Sequence, residues 1–118
     1  MSVSVSRDAS SLWAQRLLQK HQAYSAQIEA SSEATDLEPV VAACNEQIAI
    51  APEVAQVLQH QLPDSLPSHP GYDRLSHIRA SQGRWAEAVC LCREAQAQGW
   101  KGPWAERIAR LTAAQQSS

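Results

Sequence analysis

The stretch Gly71-Tyr-Asp-Arg-Leu-Ser-His-Ile-Arg-Ala-Ser-Gln-Gly-Arg-Trp-Ala-Glu-Ala-Val-Cys-Leu-Cys-Arg-Glu-Ala95 decides the fold of this chain. Tyr72, Leu75 and Ile78 fall three apart, the spacing that lines one face of a helix. Gly83 interrupts that stripe, and glycine suits the left-handed backbone of a turn between helices. Beyond it Trp85, Ala88, Val89, Cys92 and Ala95 recur at intervals that again build one helical face. Two apolar stripes joined by one short glycine turn predict an antiparallel helical hairpin. Ala88 and Ala95 are small enough to let the two backbones approach closely.

These residues resemble a known motif, the tetratricopeptide repeat. Tyr72, Leu75, Ser76, Gly83, Trp85, Ala88 and Ala95 match its pattern of large, Leu and small residues, glycine-aromatic turn and alanine pair. Arg79, Cys92 and Trp100 stand where the motif carries an aromatic, an aromatic and a closing proline. The match covers one repeat, under a third of the chain. The resemblance implies an all-α fold of about six helices in antiparallel hairpins, an α-α superhelix closed by a C-terminal capping helix. It also implies a non-enzymatic adaptor holding a peptide or partner helix in a groove lined by the first helix of each repeat. Carried onto this chain, the partner-binding candidates are Asp73, Arg74, His77, Ala80 and Ser81. Arg74 and His77 suit an acidic partner. Asp73 and His77 replace the Lys and Asn that chaperone-binding members use to clamp a terminal carboxylate.

Outward from the hairpin, the same periodicity continues. A helix is predicted from Asp8 to about Ala30, capped by Asp8 or Ser10, with Trp13, Leu17, His21, Tyr24 and Ile28 on one face. His21 reads as a rim histidine bonded to a neighbour. Asp36 can cap a second helix with Pro39 in its first turn, where a missing N–H is harmless. Leu37, Val41, Cys44 and Ile48 would be its buried face. Pro52 opens a short third helix with Val54, Val57, Leu58 and Leu62 inward. Cys44 and Cys92 take equivalent places in two phasings of the repeat, which makes both thiols small core groups.

Pro63-Asp64-Ser65-Leu66-Pro67-Ser68-His69-Pro70 cannot be helical, because proline removes donors and pushes its predecessor extended. It reads as a loop joining two hairpin units, either a plain linker or an extended segment docked in, or hinged over, the groove. Gly99 is a natural helix cap, and Gly102-Pro103 restarts a last helix with Trp104, Ile108 and Leu111 on its apolar face. Arg107 and Arg110 are expected on its flank, in closing turns where positive charge suits the helix dipole. Residues 1–7 read as a disordered N-terminus, residues 8–114 as one helical domain and residues 115–118 as a frayed tail. Trp85 suits packing at the turn, and Trp100 suits either a staple or a contact.

Composition closes off several function classes. Three cysteines are too few for a disulfide framework and favour a reducing compartment, and no apolar run spans a bilayer. The N-terminus lacks the pattern of a signal peptide, so the cytoplasm is the expected location. Cys90 and Cys92 stand two apart, on opposite sides of a helix, and cannot share a metal. No phosphate loop, hydrolytic triad or carboxylate pair is spelled out, and no cofactor is expected. Charge is uneven: residues 21–69 carry seven acids and no Lys or Arg, while residues 70–118 carry seven bases and four acids. That asymmetry fits intramolecular pairing, a homodimer through an uncovered end face, or an acidic partner. Arg84, Arg93, Lys101, Arg107 and Arg110 could instead meet nucleic acid, an alternative that a pI near 6.0 and interleaved glutamates disfavour.

Overall fold

A computed structural model of the protein describes residues 11–31, 33–62 and 64–117; the N-terminal expectations for residues 1–7, Asp8 and Ser10 lie outside these. Local capping chemistry sets most of the helix ends. The Ser11 hydroxyl accepts the Ala14 N–H at 3.0 Å and starts α1, Leu12–Ala30. Asp36 accepts the Glu38 N–H at 3.1 Å just before α2, Glu38–Ala49, whose first turn holds Pro39. Pro52 likewise sits in the first turn of α3, Ala51–Gln61. His69 caps α4, Pro70–Ser81, through its ring. Gly83 and Gly99, at φ 75° and 90°, bracket α5, Trp85–Gln98. The last helix, α6, is Trp104–Ser117.

The fold is all-α with six helices, and among the described residues there is no strand, only one isolated parallel bridge between Ser68 and Lys101. α4 and α5 form the hairpin read from the sequence, and α6 packs along α5. α1 pairs with α2, and both lie against α4, so α4 is the helix that joins the two halves. α3 packs mainly on α1 and, less extensively, on α2.

Two apolar clusters fill the interior. One gathers Ala51, Val54 and Ala55 of α3, Leu66 of the loop, Tyr72, and the inward faces of α5 and α6. The other lies between α1, α2 and α4 and holds Ile28, Val40, Ala43, Cys44, Leu75 and Ile78. Cys44 and Cys92 are fully buried, and burial pushes the Cys44 thiol up to about 11 and raises that of Cys92. Cys90 is exposed, so the two neighbouring thiols do face opposite ways.

Four expectations are corrected. On α2 the fully buried residues are Val40, Ala43, Cys44 and Gln47, whereas Leu37, Val41 and Ile48 are half-buried. The face is turned because α2 meets α1 on one side and α4 on another. Leu62 is exposed, since it closes α3 where the chain leaves the core. α6 runs through Ser117, which places Arg107 in an early turn, so a C-terminal dipole does not explain it. His21 is buried at 7% exposure, not on a rim.

The loop is docked from Leu66 to His69. Leu66 and His69 are buried, and the Lys101 N–H donates to the Pro67 carbonyl at 3.1 Å. It lies against the turn between α5 and α6. Trp100 in that turn is buried at 3% exposure and acts as a staple.

Candidate functional site

The exposed face of α4 lies between two clefts. The first, about 400 Å³, is lined by Ile28 and Glu29 of α1, by Asp73 and Arg74, and by Lys101 to Trp104 at the start of α6. The second, about 260 Å³, lies between Ser76, His77 and Ala80 of α4 and Arg107, Arg110 and Leu111 of α6. Four of the five residues marked in the sequence therefore line these clefts: Asp73 and Arg74 the first, His77 and Ala80 the second. Ser81 lines neither, and its hydroxyl donates to the Ile78 carbonyl of its own helix at 2.7 Å.

Arg107 organises this surface. One of its terminal nitrogens lies 2.8 Å from an Asp73 carboxylate oxygen, and the other donates to the Ser76 hydroxyl at 3.2 Å. Its guanidinium also sits 5.1 Å from the centre of the Trp104 ring. The charge is only 9% exposed, which makes the pairing with Asp73 necessary. The same carboxylate oxygen lies 3.7 Å from the His77 ring. Desolvation lowers the His77 pKa; Arg107 and Arg110 push the same way, against Asp73. Asp73 is thus already engaged by the protein's own Arg107.

Arg74 has a different job from the one its position suggests. It is half-buried, and it donates to the Ser31 carbonyl at 3.4 Å. A cation at the C-terminal carbonyls of α1 suits that helix's dipole. Its Nε is buried and unpartnered, as is that of Arg107. Arg74 is both a wall of the first clefts and a tie between α4 and α1.

A buried polar network stands behind the site. The Gln47 amide donates to the His21 carbonyl at 2.9 Å and to the Ser25 hydroxyl at 2.7 Å. Its oxygen accepts the Gly71 N–H at 2.7 Å, so one fully buried side chain ties α1, α2 and α4 together. A Cβ at Gly71 would lie 2.8 Å from that oxygen, too close to fit. His69 Nδ1 accepts the Tyr72 N–H at 3.0 Å. The His69 ring contacts Tyr72, Trp100 and His21, and His21 stacks on Trp100 at 5.6 Å.

No protein-family model, curated protein or solved structure matches the chain. Among the described residues no group of three His, Cys, Asp or Glu could hold a metal ion. No described helix is long and apolar enough to cross a membrane. Of the five bases that could meet nucleic acid, Arg84 is paired with Glu87 and Arg107 with Asp73. The seven acids of residues 21–69 form no ion pair among the described residues, so intramolecular pairing does not consume the charge asymmetry.

Sequence reasoning missed Arg107, Arg110 and Leu111 as one wall of the second cleft. Ser76 and Arg107 are 31 positions apart, and no local spacing reports that Arg107 reaches across to α4. The only signal was an arginine next to an apolar face.

Proposed function

We propose that the protein is a non-enzymatic binding module that holds an acidic peptide or partner helix along the exposed face of α4, between α1 and α6. The observation that carries this reading is the balance of charge around the two clefts. Asp73 is engaged by Arg107, which leaves Glu29 against Arg74, Lys101 and Arg110, with the His77 imidazole beside them. Ile28, Pro103, Trp104 and Leu111 add apolar surface between those cations, the mixture that an amphipathic segment with carboxylates would meet. The likeness of Gly71–Ala95 to a tetratricopeptide repeat supports the same reading, since α4 is the first helix of that unit.

The test is a double variant, His77→Ala with Arg110→Glu. Both residues are exposed, whereas Arg74 also braces α1 and is a poor probe. Partners are captured on the immobilised wild type and on the variant, with circular dichroism as a check on folding. A protein retained by the wild type and lost by the variant supports the module. Equal retention by both, or capture of nucleic acid alone, overturns it.

A further inference from the structure

His21 and His69 come from separate segments, α1 and the loop before α4, yet their rings lie 5.4 Å apart at an angle of 54°. Both are buried, His69 completely. Each has one ring nitrogen without a partner, Nδ1 of His21 and Nε2 of His69. His69 Nδ1 accepts the Tyr72 N–H, so the neutral ring carries its proton on Nε2.

A proton added to Nδ1 would set donor against donor and place a charge among Trp100, Tyr72 and His21. Among the described residues no ion pair reaches either ring, although Glu29 of α1 lines the same cleft as His69. On α1 the nearest cation in sequence is the exposed Lys20, and on α2 Glu46 is exposed and accepts from Tyr24. On α3 Glu53 and His60 form no ion pair with either ring. On α4 Asp73 belongs to Arg107, with Arg74 turned to Ser31. On α5 Glu94 acts on Tyr72, and in the turn Lys101 is exposed. Burial and the neighbouring His21 hold His69 down at about 3, and burial lowers His21.

We propose that the His21–His69–Trp100 cluster is an acid-released latch on residues 64–71. At neutral pH both imidazoles are uncharged and the loop is clasped, with the first turn of α4 capped. Protonation of His69 removes the cap and expels the ring, which frees the loop from Lys101 and loosens the turn that carries Asp73 and Arg74. Ser68, His69 and Pro70 also line the first cleft, so release of the latch takes away one of its walls.

Native-state amide hydrogen exchange tests it, with the α5 amides as internal reference and intrinsic rates corrected for pH. An imidazole held at about 3 when closed and titrating at 6.5 when released raises the opening equilibrium about 30-fold near pH 5. The expected result is a loss of protection of that size at the Tyr72 and Lys101 amides, which open at a lower free energy than the α5 amides at both pH values. His69→Asn supplies a capping acceptor that does not titrate. In that variant the acid response of the two amides between about pH 7.5 and pH 5, on either side of the free imidazole, should shrink to the part that His21 supplies. The latch is wrong if the wild-type loop keeps its protection on acidification. It is also wrong if the two loop amides open only with the free energy of the α5 amides, or if H69N retains the full acid response. Should H69N fail to fold, the wild-type comparison decides the matter by itself.

Discussion

The two halves of this molecule are held by different kinds of force. α4, α5 and α6 are joined by two short turns and pack through alanines, Cys92, Trp104 and Leu111. The junction of α1, α2 and the loop with α4 has an apolar cluster of its own but is tied by a buried polar network of Gln47, His21, Ser25, His69 and the Gly71 N–H. Apolar packing is insensitive to pH and degrades gradually when atoms are removed. A buried polar network loses most when one partner disappears, because the others are left desolvated. The C-terminal half should therefore behave as a conventional core, and the N-terminal junction as a set of interdependent contacts.

The largest expected effect tests the apolar side. Trp104→Ala removes a side chain that is 4% exposed and donates to the Trp100 carbonyl at 2.8 Å. It should cost about 4 kcal/mol in urea denaturation, by the same amount at neutral and mildly acid pH. A loss that depends strongly on pH would break the division between the halves.

Gln47→Leu tests the polar side at nearly constant volume. It strands the Gly71 N–H and the Ser25 hydroxyl and should cost about 3 kcal/mol. A neutral result by the same denaturation experiment would show that the network is dispensable.

Acidification comes next. The folded-state pKa of His69 lies below that of the free imidazole, so the unfolded chain binds more protons, and stability rises with pH between about 3 and 6.5. His21 shifts in the same direction. Moving from neutral pH to near pH 5 should remove about 2 kcal/mol through His69 alone, and H69N should flatten that slope. The smallest effect is at the surface. Arg84→Ala breaks an exposed pair with Glu87 and should change stability by less than about 0.5 kcal/mol, sharpening the contrast with the buried pair of Arg107.

What could be read from the sequence divides along the same line. The hairpin, the glycine turns, the proline-led helix starts and the burial of Cys44 and Cys92 were legible, because each follows from spacing within a dozen residues. The face of α2 was misjudged by part of a turn, since its two packing partners are set elsewhere in the chain. His21 looked like a rim residue because nothing near it announces that a proline-rich loop will fold back and cover it. Of the site, the α4 residues were legible through their helical register. The wall contributed by α6 was not, because Arg107 reaches Asp73 and Ser76 only after three helices have packed.

Gln47 also has a consequence for the order of assembly. Its bonds span 26 residues to His21 and 24 residues to Gly71, whereas the α4–α5 and α5–α6 contacts close across short turns. Closing the longer loops costs more chain entropy, and their reward arrives only when both strands of contact are in place. The C-terminal hairpin is then the part that can form early as the chain leaves the denatured ensemble. The glutamine acts late, as a keystone whose insertion commits α1 and α2 to one register against a surface already built.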